Sequence, residues 1–463
     1  MTRIIDKFWD KINTPHFKAT LFAIVAVLLV CDLVAVPFAP LELILLADSA
    51  AIMLAFLVWR PLWGVYAMAA LYPFINWQFV FGNLNIPLVD LVALFTFVGL
   101  IIKTLIESPE FSWKFIKKFF PGILFFVLFF AAATASLINI ETLSTGIKYL
   151  FRPLLFFYLM FVVIPWNTVD SKKIFFNIIK IFFGVGLFVA FSGLMSMIFA
   201  AGPWYTHRAL PFQFGDFNPL GGNHNAVAEI LVAMIPFGLL LYFHEPKFRK
   251  RNLYAIAIGF FTAILLLTFS RSGWLGLMTE LTIIYGVSNL RKMKKKTLIG
   301  LALAVVFTLG IVYFLVWNQL DWIAESNRNR LLMTEISLTS FYNHPLLGNG
   351  LNTFQNFLGD TFVYIIEFGE PLDSHGFIQK LLVETGLIGL SGFLAFLTYI
   401  FYQLLAAYNG APENERRSAL CLIMVFAGLF VMELFSTSYF ISIFWLPLGL
   451  CLVGAKLISE KKL

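Results

Sequence analysis

The chain has 463 residues, of which 60% are hydrophobic and 13% charged, with a formal net charge of +7 and a mean hydropathy of +0.85. Soluble domains carry about 25% charged residues, so a soluble multidomain enzyme, a nucleic-acid binder and a disordered chain are all excluded. What remains is a single all-α, polytopic transmembrane domain over residues 1–463, to which 54 Phe and 11 Trp contribute lipid-facing and interfacial surface.

A bilayer core of about 30 Å needs about 20 apolar residues per helix. The sequence offers about 14 such runs: 18–37, 41–59, 61–82, 86–106, 119–139, 147–165, 173–200, 225–243, 253–269, 272–289, 298–317, 386–408, 418–436 and 439–457. Arg3, Lys7 and Lys11 precede the first run, and no small-residue cleavage site follows it. It reads as a retained helix rather than a signal peptide. The second and third runs are parted only by Trp59-Arg60-Pro61.

Basic residues recur in alternate connections. They include Lys103 with Lys117 and Lys118, Lys172 with Lys173, Lys247 to Arg251, Arg291 to Lys296, Arg416 with Arg417, and Lys461 with Lys462. The positive-inside rule makes that side cytoplasmic and, with an even number of spans, puts both termini there. Two long connections fall on the other side, 201–224 and 318–385. The second holds Asp321, Glu325, Glu335, Asp360, Glu367, Glu370 and Asp373 against Arg328, Arg330 and Lys380. The net charge is therefore a topology signal and does not imply a nucleic-acid partner. Cys31, Cys421 and Cys451 lie in apolar runs without metal or disulfide spacing.

Arginines on the outer side need a further reason, because a charge at the end of an apolar helix is costly. Arg152, Arg208, Arg271 and Arg330 are the ones in question. Snorkelling to lipid headgroups or pairing with a loop carboxylate is the alternative for each, and is the preferred reading for Arg208. Arg271 stands in Ser270-Arg271-Ser272-Gly273 at the start of a span, where a guanidinium and a helix N-terminus face the same anion. Several outer arginines suit a phosphate or diphosphate, which a planar fork binds bidentately, and Arg271, Arg330 and Arg152 are the candidates. A carboxylate-bearing lipid would meet the same requirement.

His375, at the mouth of a span, is a candidate proton acceptor near neutral pH, with a structural hydrogen bond as the alternative. Asn223, His224 and Asn225 open the eighth span, either as sugar-binding groups or as a helix cap. Arg328 and His344 are further candidates for glycan or acceptor contact, with a turn role as the alternative for His344. Asp32, Asp48, Asp90, Glu280 and Glu433 form no aligned proton relay, and no metal-binding, nucleotide-binding or phosphate-loop motif occurs.

In order and spacing, the segment 215–395 resembles the O-antigen ligase and O-antigen polymerase superfamily of bacterial membrane glycosyltransferases. The residues that carry the resemblance are Ser270 to Gly273, Arg330-Leu331, His344-Pro345-Leu346-Leu347-Gly348-Asn349-Gly350, Ser374 to Gln379, and Glu384-Thr385-Gly386-Leu387-Ile388-Gly389. Two positions depart from the pattern: Gly376 stands where Asn often follows the histidine, and Ile378 replaces a common Leu.

The resemblance implies a GT-C-type helical fold in the bacterial inner membrane, working on its outer side without a cofactor or metal. It implies transfer of a glycan from undecaprenyl diphosphate to an acceptor hydroxyl, with Arg271 and Arg330 on the leaving diphosphate and His375 as the base in one inverting displacement. A ligase acting on lipid A–core or a similar lipid or glycan acceptor is the first expectation. A polymerase joining carrier-linked repeat units and a transporter or flippase of lipid-linked sugars are the alternatives.

Overall fold

The computed structural model describes residues 41–81, 84–107, 112–200, 207–213, 218–287, 320–437 and 439–461. The expected spans at 18–37 and 298–317 lie outside the described residues, as do parts of the connections 201–224 and 318–385. The chain is an all-α polytopic membrane protein. Among the described residues seven helices are long and apolar enough to cross a bilayer, or eight if one sharply bent pair counts as a single span.

That pair is α1 (Leu41–Trp59) and α2 (Pro61–Leu71). The two are bent by 113° at Arg60, where Pro61 opens the second helix. The expected third span, 61–82, is therefore helical over only eleven residues. Pro73 follows Tyr72 at its end, a position that disfavours continued helix. The chain then forms a small antiparallel hairpin of β1 (Gln78–Phe81) and β2 (Leu84–Pro87), with Phe79 paired to Ile86. α3 (Leu88–Glu107) descends from the hairpin, and a short helix, α4 (Trp113–Phe119), turns the chain back into α5 (Ile123–Ser136).

The sixth expected span is one helical run, α6 (Leu143–Thr168). Two of its stretches, Leu150–Phe156 and Tyr158–Val163, are π-helical. Pro153 inside the first removes a backbone donor, which the wider winding accommodates. Then follow α7 (Lys172–Phe199), α8 (His224–His244), α9 (Phe248–Leu267) and α10 (Arg271–Val287). The long connection carries its own helices, α11 (Leu320–Asn343), α12 (Phe354–Gly359) and α13 (Phe362–Phe368). α14 (Phe377–Gly410), α15 (Glu413–Glu433) and α16 (Ser442–Ser459) complete the bundle.

Between membrane helices the hydrophobic drive is weak, and close packing of small residues replaces it. α10 and α15 show this at Gly276, where an added Cβ would stand 3.0 Å from the Gly428 carbonyl oxygen. α8 is deeply enclosed, in contact with α9, α15 and α7. Its 21 residues span about 30 Å, which separates two polar ends. At one end Asn225 accepts a hydrogen bond from the Ser270 hydroxyl beside Arg271. At the other, the Ser418 hydroxyl meets the His244 ring at 3.3 Å, and the Arg417 guanidinium lies 5.6 Å from the Phe243 ring centre.

Inside α14 the backbone leaves the helix at Gly386 (φ 65°, ψ −167°). The expected span at 386–408 thus begins earlier, as a helical turn sequence from Phe377 broken at this glycine. The turn Pro345–Gly350 fills the break. Leu387 and Ile388 donate their N–H groups to the carbonyls of Pro345 and Leu346, at 2.9 and 3.2 Å. In return Asn349 and Gly350 donate to Val383 and Glu384, at 2.9 and 3.0 Å. The Asn349 amide adds bonds to the Ser340 and Val383 carbonyls. Every backbone group freed in this way must find a partner away from water, and the glycine- and proline-rich motif supplies them.

Candidate active site

Arg271 is the first residue of α10. The turn before it is tight: Phe269 adopts φ 55°, a left-handed conformation that costs a bulky residue about 1–3 kcal/mol. The Ser270 hydroxyl accepts from the Gly273 N–H at 3.2 Å, lies 3.1 Å from the Ser272 hydroxyl and donates to Asn225. The start of α10 is thereby fastened to the start of α8, and Arg271 is aimed across the gap to α11. Its Nη1 donates to the Asn327 side-chain oxygen at 2.6 Å.

Arg330 lies one turn beyond Asn327 on α11, and its Nε is buried without a hydrogen-bond partner among the described residues. Burial, reinforced by Arg271, lowers the affinity of the Arg330 guanidinium for its proton. Burial also lowers that of Arg208. Two half-buried guanidiniums close enough to repel are held together by the fold at a cost that an anion between them would offset.

His375 stands in the segment Asp373–Gly376 ahead of α14. Lys380, whose side chain is only 1% exposed, donates from Nζ to both Asp373 oxygens at 2.7 Å. Asp373 accepts from the Ser374 N–H, the Ser374 hydroxyl donates to the Gly376 carbonyl, and Thr437 donates to the Ser374 carbonyl. The backbone on both sides of the imidazole is therefore fixed. Gly376 passes so close to α15 that an added Cβ would stand 2.5 Å from the Leu434 carbonyl oxygen. The His375 pKa is lowered to about 4, first by burial and next by Arg330, with Asp373 opposing and Arg271 adding to the fall. At neutral pH the ring is uncharged and holds a free lone pair for a proton.

Two cavities meet at these side chains. The first, about 280 Å³, is lined by His224, Asn225, Arg271, Arg330 and His375 with Phe269. The second, about 470 Å³, shares Arg330 and His375 as a common wall and is otherwise mostly apolar, with Leu338, Phe341, Leu382 and Leu434 among its lining. One side is suited to a charged head and the other to a greasy or ring-shaped body, with the same arginine and histidine between them.

The remaining residues singled out from sequence fall elsewhere. Asn223 caps α8 by accepting from the Asn225 N–H at 2.8 Å. Arg152 donates to the Asn85 carbonyl at 2.7 Å and lies 3.8 Å from Asp90, beside the hairpin and apart from both cavities. Arg328 is paired with Glu367 on the exposed surface. His344 is exposed and works through its backbone, accepting from Gly348 at 2.8 Å in the turn that fills the α14 break. Sequence reasoning did not single out Asn327, Asn329 or Phe269. The pattern Asn327-Arg328-Asn329-Arg330 held a usable signal, since positions three apart share a helix face.

Among curated proteins, none matches the chain. A family model described as O-antigen ligase does match, over residues 255–394. The matched stretch runs from α9 into α14 and contains Arg271, Asn327, Arg330, the Pro345–Gly350 turn, His375 and Gly386, while Asn223 to Asn225 and Arg152 lie outside it. Over that stretch the chain is similar to the O-antigen ligase family, which supports the resemblance to the O-antigen ligase and polymerase superfamily.

Proposed function

We propose that the protein transfers a glycan from an undecaprenyl-diphosphate carrier to an acceptor hydroxyl on the outer side of a bacterial inner membrane, as a ligase. The observation that carries this reading is the meeting of Arg271, Arg330 and His375 on one cavity, with the Arg330 Nε buried and unsatisfied. A diphosphate supplies the oxygen that the buried Arg330 Nε lacks, with the Arg271 guanidinium beside it. In the reaction, the acceptor oxygen attacks the anomeric carbon and gives its proton to the neutral His375 ring. The carbon–oxygen bond to the diphosphate breaks, and its electron pair settles on the diphosphate oxygen beside Arg271 and Arg330. Attack and departure lie on opposite faces, so the sugar inverts. Stabilising the leaving charge and placing the base together account for the catalysis without nucleotide.

His224 and Asn225 bound the same cavity and would touch the donor sugar. Sidedness follows from the basic residues at the opposite end of α8, which by the positive-inside rule is cytoplasmic. Fourteen spans with both termini on that side, arranged as a GT-C fold, complete the reading.

The test is an assay of purified protein with a defined carrier-linked oligosaccharide and two acceptors offered separately, lipid A–core and a second carrier-linked unit. Transfer to lipid A–core supports the ligase. A ladder of products without it would turn the assignment to the polymerase reaction. Movement of the donor across liposomes with no glycosidic bond formed would turn it to a transporter.

A further inference from the structure

A further cavity lies not at the arginine–histidine site but at the other end of the molecule. It measures about 550 Å³ and opens where α1 and α2 part at their 113° bend. Three cations border it: Arg60 from the bend, Lys103 from the last turns of α3 and Lys118 from α4. Asp170 is the one carboxylate in its wall, and Leu100 and Phe119 give it an apolar floor.

The cavity lies at the depth of lipid headgroups, as its aromatic neighbours indicate. The Arg60 guanidinium sits 4.6 Å from the centre of the Trp59 ring. Trp166 donates its indole N–H to the Lys118 carbonyl at 2.9 Å, and Lys456 donates to the Trp166 carbonyl at 2.8 Å. Tryptophans paired with cations in this way mark a membrane–water interface. Trp63, 57% exposed on the next turn of α2, continues the apolar surface toward the lipid.

We propose that this cavity is a binding site for an anionic phospholipid, with the phosphate headgroup among Arg60, Lys103 and Lys118 and the first acyl carbons on Leu100 and Phe119. Three cations against one carboxylate select a negative headgroup, and an apolar floor beneath them selects a molecule with chains. The site shares no residue with the arginine–histidine cavity, so its occupancy is separable from glycosyl transfer. Its effect is on the packing of α1, α2 and α4 around the bend.

The experiment uses the full chain in nanodiscs of phosphatidylcholine, alone or mixed with phosphatidylglycerol. The readouts are thermal unfolding and the lipid retained after transfer to detergent. Phosphatidylglycerol is expected to raise the unfolding temperature and to be retained in preference to phosphatidylcholine. The triple variant Arg60→Gln/Lys103→Gln/Lys118→Gln is expected to lose that retention, by roughly fivefold for each cation removed, while unfolding in pure phosphatidylcholine as the wild type does. Asp170→Asn is expected to retain more phosphatidylglycerol than wild type, and it decides the matter should the triple variant fail to fold. Equal retention of the two lipids by wild type, undiminished retention by the triple variant, or no gain in Asp170→Asn would each overturn the proposal. A rise in unfolding temperature with inorganic phosphate equal to that with phosphatidylglycerol would overturn it in favour of a soluble phosphate ligand.

Discussion

Arg271 and Asn327 are joined side chain to side chain at 2.6 Å, across the gap between the first residue of α10 and the helix that carries Arg330. The bond fixes the direction of one guanidinium and, through the turn from Asn327 to Arg330, its distance from the other. It also withholds one Arg271 donor from any ligand. Replacing Asn327 with Leu should free Arg271 to swing and raise the KM for the carrier-linked donor while leaving kcat less affected. Asn327→Asp should weaken donor binding further, because a carboxylate competes with diphosphate for the same fork. Steady-state kinetics on the two variants separate these effects, and equal KM values for all three proteins would refute the positioning role.

Arg330 is expected to tolerate no replacement. Its Nε has no partner among the described residues, and in the proposed reaction the guanidinium meets the leaving diphosphate. Arg330→Ala should lower kcat/KM by about 10²–10³-fold, the scale seen when one donor to a developing oxyanion is lost. Arg330→Lys keeps the charge but not the planar fork and should recover only part of that loss. Full activity in the lysine variant would show that point charge alone suffices.

The pH dependence follows from the surroundings of His375. Its pKa in the free protein is lowered to about 4, and the neutral ring is the one that accepts a proton. kcat/KM, which reports the free enzyme, should therefore be flat from neutral pH down to about 5 and fall as pH drops through about 4. Arg330 is the second cause of the lowering, after burial. Removing its charge in Arg330→Gln should move the acid limb to higher pH, whereas Arg330→Lys should not. A limb that stays in place in both would remove Arg330 from the electrostatics of the ring.

The helices were legible because apolar runs of membrane length are hard to mistake, and Arg271, Arg330 and His375 were legible because motif order marked them. What escaped the sequence depends on contacts between distant residues. The pairing of Arg328 with Glu367 spans 39 positions and that of Arg152 with Asn85 spans 67; each takes a suspected site residue into structural use. The break at Gly386 was hidden for a similar reason. Hydropathy is continuous through it, and only the docking of Pro345–Gly350 from another segment makes the irregular backbone affordable. Gly376 departs from the family pattern, and the contact with the Leu434 carbonyl supplies its reason.

Gly376→Asn, which would restore the commoner residue of the family, should thus damage this protein. Its φ of 177° is open to any residue, so the penalty is steric and falls on the approach of α15. The variant should either lose thermal stability or push the His375 segment away from Arg330, with lower kcat. Gly386→Ala adds a left-handed conformation to a collision with the Leu346 carbonyl. It should be the more destabilised of the two, by more than the roughly 1–3 kcal/mol that such a backbone conformation alone costs. Thermal unfolding in detergent ranks the pair, and the opposite ranking would refute the steric account.

The buried Lys380 offers the sharpest energetic test. Its ammonium has Asp373 on both oxygens, Glu384 at 4.0 Å, and the Phe440 ring 4.7 Å away. Removing one partner of such a pair usually costs about 3–5 kcal/mol, because the other is left buried and uncompensated. The two ends are unequal here. Asp373 is 25% exposed and can turn to water once Lys380 is gone, whereas Lys380 is 1% exposed and cannot. Asp373→Asn leaves Lys380 with Glu384 alone and Lys380→Met leaves Glu384 buried without its cation, so both should destabilise, and the double variant should lose less than the sum of the two. Both single variants release the Ser374 backbone from its anchor and loosen His375, so both should lower kcat with little change in donor KM. Additive losses in the double variant would mean that the ion pair does not act as a unit, and unchanged kcat would mean that it does not position the histidine.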